Sequence, residues 1–118
     1  MTAHAEWKFY DGTDSTDAYI DYSKIKIEGR YKSMWVLWNI ISPEANNSGK
    51  QFKSEVRKEI IDCQTSRTQT VALYNYSEQM GKGEIVHSAN VQIKQSNWSN
   101  PPPNSFAEGY INIACGRK

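Results

Sequence analysis

Tyr31-Lys32-Ser33-Met34-Trp35-Val36-Leu37-Trp38-Asn39-Ile40-Ile41 decides how this chain is built. Alternation puts Met34, Val36, Trp38 and Ile40 on one side of an extended strand and Trp35, Leu37 and Ile41 on the other. A strand apolar on both faces belongs at the centre of a sheet with a cover on each side. The apolar run is also too short for a membrane helix, which needs about 20 such residues. The reading therefore asks for flanking strands and for two covers.

Upstream, Glu6-Trp7-Lys8-Phe9-Tyr10 alternates imperfectly up to Asp11-Gly12, a strong turn dipeptide, and Asp14 to Asp17 reads as polar loop. Tyr19-Ile20-Asp21-Tyr22 follows, then Lys24-Ile25-Lys26-Ile27-Glu28, which alternates so that Ile25 and Ile27 share a face. Gly29-Arg30 turns the chain into the central strand. Downstream, Pro43 to Lys50 is loop by composition. Gln51 to Cys63 reads two ways. Phe52, Val56, Ile60 and Cys63 fit one helical face, and the Lys, Glu and Arg content favours helix. Phe52, Val56 and Ile60 also share one face of a strand, because their spacing is even. A place between two strands without crossover-length loops favours a strand in a meander. Thr68 to Ser77 is rich in β-branched and aromatic residues, with Val71 and Leu73 on one side and Ala72, Tyr74 and Tyr76 on the other. Gly81-Lys82-Gly83 then turns into Glu84 to Val91.

The tail reads as helix. Ser105 is an N-cap and Glu108 completes a capping box. Phe106, Tyr110, Ile113 and Ala114 recur on one apolar face, the prolines at 101–103 bar extension backward, and Gly116 stops the helix. A helix of about ten residues does not persist alone in water, so it must dock on the sheet.

At 118 residues there is room for one domain. Residues 1–5 read as a signal-peptide remnant, since Ala3-His4-Ala5 has the small-x-small form of a processing site, or as an arbitrary, disordered start; 6–118 form the domain. With 14 Lys plus Arg against 13 Asp plus Glu, the net charge is near neutral and gives no long-range pull toward nucleic acid or anionic membrane. The basic stretch Lys24, Lys26, Arg30, Lys32 reads as a solvated edge or a contact for an acidic partner. Two cysteines, Cys63 and Cys115, form a lone even pair without CxxC spacing, read as one disulfide and hence as a mark of export.

Chemistry is sparse. His4 and His87 are the only histidines, and nothing clusters at metal-ligand spacing, so neither a metal site nor a cofactor is expected. There is no phosphate loop, nucleophile elbow or paired carboxylate, and an enzyme is not expected. The remaining signal is aromatic, from four Trp, seven Tyr and three Phe. Trp7, Tyr74, Tyr76 and Trp98 are the candidate binding surface, weighed against plain sheet-face packing.

Tyr19-Ile20-Asp21, the Trp-rich strand, Asp62-Cys63, Tyr74, Gly81, Trp98, the prolines before Ser105 and the final Cys115 together resemble the surface-adhesin protein E family of Gram-negative bacteria. The resemblance runs from about Trp7 to Cys115. It implies an antiparallel sheet with a C-terminal helix strapped to one face by the disulfide, and a homodimer. It also implies binding of host matrix or serum proteins such as vitronectin and laminin, although no ligand-binding residue can be carried over. The expectation is an α+β, mostly β fold: an antiparallel meander of about six strands with one disulfide-tethered C-terminal helix. The expected function is a non-catalytic exported module in the periplasm, on the outer-membrane surface or secreted. The alternatives are a small OB-like barrel for single-stranded nucleic acid, a disfavoured partner, and a periplasmic protein with some other ligand.

Overall fold

The computed structural model describes residues 5–41 and 52–117. Residues 1–4 of the expected remnant at 1–5, and the loop Pro43–Lys50, lie outside the described residues. One antiparallel sheet of seven strands carries the fold: β1 (Lys8–Gly12), β2 (Thr16–Ile20), β3 (Lys26–Glu28), β4 (Tyr31–Ile40), β5 (Ser54–Asp62), β6 (Arg67–Tyr76) and β7 (Ile85–Asn90). Their spatial order, β1-β2-β4-β5-β6-β7, follows the chain, with β3 beside β4, so the sheet is the expected meander. Its outer strands β1 and β7 are not bonded to each other, which sets aside the closed-barrel alternative.

The strand count exceeds the expected six because one hairpin arm is broken. β2 pairs with Val36–Ile40 of β4, and β3 pairs with Tyr31–Ser33 of the same strand. Between them the chain leaves the sheet in a 3-10 turn, Tyr22–Lys24. This turn corrects the expectation for Ile25 and Ile27. Ile25 follows the turn and packs on the core, whereas Ile27, on β3, is 74% exposed. The first turn also moves. Asp11 and Gly12 remain in β1, beyond a bulge after Phe9, and the chain reverses at Thr13–Ser15, where Thr13 N donates to Thr16 O at 2.8 Å.

β5 is a strand despite its helix-forming composition. Glu55, Arg57 and Glu59 alternate onto the same side as Met34 and Val36, while Lys58, on the other side, pairs with Glu28 at 2.8 Å. Arg57 pairs with Glu55. Glu59, 5% exposed, accepts from Thr68 Oγ1 at 3.1 Å and Thr70 Oγ1 at 2.6 Å. A buried carboxylate held by two hydroxyls is tolerable where an unpaired one is not. Tertiary pairing thus overrides local propensity. A bulge in β6 skips Val71, so Thr68 and Thr70, rather than Val71, face Glu59 across the strands.

α1 (Phe106–Ala114) closes one face of the sheet. Ile20, Met34, Val36 and Ile61 meet Tyr110, Ile111 and Ala114 in one core cluster. Each such buried aliphatic side chain contributes about 1.5–3 kcal/mol. Ile111 belongs to this cluster although the expected face omitted it, because the helix is rotated to seat both Tyr110 and Ile111. Ser105 Oγ caps Glu108 N at 3.2 Å, as expected, but Glu108 Oε1 reaches Asn104 N at 2.8 Å rather than the cap residue's own N–H. At the other end Gly116, at φ +71°, donates to Ile113 O, and Arg117 N donates to Asn112 O at 2.7 Å. Those two bonds give partners to the Ile113 and Asn112 carbonyls, and the left-handed φ suits glycine.

The Cys63–Cys115 disulfide is formed, with Cα atoms 5.7 Å apart, and joins the end of α1 to the residue after β5. Arg117 reinforces the clasp, donating to Cys63 O and, at 2.6 Å, to Ser66 Oγ. Gly109 lets the helix approach β1: a Cβ there would stand 1.5 Å from Tyr10 Oη.

Candidate functional site: an aromatic groove opposite the helix

The second face of β4 has a different cover. Leu37, fully buried, and Val56 beside it lie beneath a turn at Gln79–Gly81. A Cβ on Gly81 would stand 3.4 Å from Leu37 Cδ1 and 3.5 Å from Val56 Cγ2, so the turn rests directly on these side chains. Two buried polar residues hold it there. Asn39 Oδ1 accepts from Met80 N at 2.8 Å, which fixes Met80 in a left-handed conformation at φ 60°. Ser54 Oγ donates to Glu78 O at 2.6 Å and accepts from Gly81 N at 2.9 Å. Left-handed backbone at a non-glycine residue is strained and persists only where its surroundings impose it.

A second wall rises from the turn between β2 and β3. Asp21, 1% exposed, accepts from Ser23 N at 3.1 Å, Ser23 Oγ at 2.5 Å and Glu6 N at 3.1 Å, and Lys24 Nζ lies 3.6 Å away. Burial alone would raise its carboxyl pKa, but the hydrogen bonds and the lysine outweigh it and the net shift is downward. The contact with Glu6 matters most for the site, because it pins the segment that carries Trp7.

Between these walls lies an open cavity of about 600 Å³. Trp7, Trp35, Val56, Tyr76 and Met80 supply its apolar surface, with Asp21 and Lys24 on one side and Gly81 and Lys82 on the other. Trp35 stacks on Tyr74 with ring centroids 6.4 Å apart and planes 24° apart. Burial, helped by the nearby Tyr74, pushes the Tyr76 phenol above its usual range, so it stays a neutral donor at physiological pH. The lining is ring surface with few polar groups, suited to gripping flat apolar groups rather than to bond making and breaking.

Of the sequence candidates, Trp7 and Tyr76 line this groove and Tyr74 backs it through Trp35. Trp98 is elsewhere, packed on Tyr31 at 4.9 Å between centroids. Trp35, Lys24 and Lys82 were not among the candidates. Asn39 inside an apolar strand and Asp21 inside a strand-like stretch were the available signals, since a buried polar residue needs a partner. Trp38 points the other way, as alternation requires. Its Nε1 donates to Tyr110 Oη at 2.7 Å, and the Arg57 guanidinium covers its ring at 4.0 Å. Within the basic stretch, Lys24 pairs with Asp21, and Arg30 lies over the Tyr31 ring at 5.9 Å. His87 is exposed on β7. Among the described residues no His, Cys, Asp or Glu group of three or more could hold a metal ion, and no helix is long and apolar enough to cross a membrane.

No curated protein matches the chain. Solved structures of protein E from Haemophilus influenzae are similar in fold. Its crystal form II has 16% identity over 90% of this chain and 91% of that one, with a TM-score of 0.59. A selenomethionine form has 15% identity over 96% and 95%, also at 0.59. Protein E from non-typeable Haemophilus influenzae has 14% identity over 96% and 86%, at 0.53. At such identities the shared property is the fold. The sequence profile of the family described as surface-adhesin protein E matches residues 7–116, nearly the whole chain. The chain belongs to the surface-adhesin protein E family.

Proposed function

We propose that this chain is an exported, non-catalytic module that binds an extracellular protein, a host matrix or serum protein in the first instance, through its groove face. The observation that carries this reading is the division of labour between the two faces of β4. One is sealed by a helix that a disulfide holds in place, and the other is an open aromatic groove whose walls are pinned by buried Asp21, Asn39 and Ser54. Rigid aromatic surface of this kind contributes contact area at low entropic cost, which is how protein-binding faces gain affinity. The disulfide supports placement in an oxidising compartment: periplasm, outer-membrane surface or medium.

Surface plasmon resonance with immobilised vitronectin and laminin tests the reading. Saturable binding by the oxidised protein, weakened at least tenfold by Trp7→Ala, is the expected result. Absence of binding to either protein, or equal binding by the variant, would remove it. We further propose that a homodimer forms through β7, an edge strand with all its residues exposed, including Ile85 at 52% and Val86 at 45%. An unpaired apolar edge is where a second sheet adds. Light scattering should show a dimer that Val86→Lys converts to monomer; a wild-type monomer at high concentration would cancel the assignment.

A further inference from the structure

The groove also carries information about the chemistry of its occupant. Its lining holds one carboxylate and two ammonium groups: Asp21, Lys24 and Lys82. Asp21 is 1% exposed, and its oxygens are engaged by Ser23, Glu6 and Lys24, so it presents almost no negative surface to the groove. Lys82 is exposed on the opposite wall and has no acidic partner among the described residues. Asp21 and Lys24 offset each other, so what solvent meets is ring surface with the net positive charge of Lys82 at one wall.

A neutral sugar would need a ring of matched donors and acceptors for its hydroxyls, because each unmatched one costs free energy on burial. Here the polar groups are few and most of Asp21 is already spent. An extended peptide makes fewer demands. In the polyproline conformation its backbone has no internal hydrogen bonds to break, little conformational entropy remains to be lost, and flat proline or aromatic side chains lie well on Trp and Tyr faces. A cavity of about 600 Å³ falls within the usual range for a specific site, roughly 300–1,000 Å³.

We propose, resting on the protein-binding reading above, that the groove takes an extended acidic peptide segment in which proline or aromatic residues alternate with carboxylates. The rings lie on Trp7, Trp35 and Tyr76, and a carboxylate meets Lys82 on the open wall. Because Lys82 sits at an open rim, the contribution of the carboxylates weakens with salt.

The probe is a fluorescein-labelled peptide of four glutamate-proline-proline repeats, read by anisotropy against the full oxidised chain. The expected result is saturable binding that falls at least tenfold for Lys82→Glu, for Trp7→Ala and for a lysine-proline-proline twin of the peptide. Lys82 is a surface residue, so its variant folds even where an aromatic truncation does not. No saturable binding, equal binding of the two peptides, or saturation by sialyllactose where the peptide fails would each overturn the proposal. The same variants on immobilised vitronectin and laminin separate the two readings. If whole proteins bind wild type and Lys82→Glu alike while the peptide fails, the peptide assignment falls and the module reading stands. If neither peptide nor protein binds, both fall.

Discussion

Asp21 is buried and keeps a carboxyl pKa below its ordinary 3.8 because hydrogen bonds from Ser23 and Glu6, with Lys24 nearby, outweigh the cost of burial. A depressed folded-state pKa means stability that is present above the unfolded value and is lost as pH falls through the folded one. Asp21→Asn should therefore cost about 1–2 kcal/mol at neutral pH, in the range of a lost cap. The gap to wild type should close as pH falls below the ordinary carboxyl value of 3.8 and through the depressed folded one. Urea midpoints across that range check it, and a gap that stays constant in acid would show that the charge is not what holds the turn. Gly109 makes a steric prediction. Gly109→Ala places a methyl 1.5 Å from Tyr10 Oη, so β1 or α1 must move, at about 1–3 kcal/mol. In a Tyr10→Ala background the same change should cost far less, and a double-mutant cycle in denaturant reads the coupling. Neither contact was legible beforehand. Glycine inside a helix reads only as a weak helix former, and Tyr10 lies on another element, about 100 residues away in sequence.

At the scale of elements, α1 depends on its clasp. Its start was readable from Ser105 and Glu108, because capping is local chemistry between residues a turn apart. Its buried face was only partly readable: Ile111 is chosen by the sheet it meets, through Ile20, Met34 and Ile61. The identity of β5 shows the same limit. Glu55, Arg57 and Glu59 favour helix until partners on the same strand and on β6 take them up, and those partners are not local. The disulfide spans a sequence separation of 52, for which the chain-entropy relation gives about 4 kcal/mol. The double variant Cys63→Ser, Cys115→Ser should lose up to about that amount in denaturant. Release of the helix should also expose Trp38, which is bonded to Tyr110, and shift its fluorescence to the red. An unchanged Trp signal would mean that packing alone keeps α1 docked.

Across the whole molecule, the central strand foretold the architecture but not the site. Alternation in Met34–Ile41 required two covers, and the structure supplies unequal ones: a helix over Met34 and Val36, and a turn over Leu37 that stops short of Trp35. The groove is that shortfall. Trp7 and Tyr76 could be singled out as aromatics, but the lysines and the turn that frame them come from positions 24 and 82, brought together only by the fold. The central claim is that ligand binds between the two pinned turns and away from the helix. Hydrogen exchange of the oxidised protein, alone and saturated with the extracellular protein it binds, tests this most directly. Slowed exchange at 21–25 and 77–83, with α1 unchanged, is the predicted result. Protection confined to α1 or to β7, with both turns exchanging as before, would contradict it.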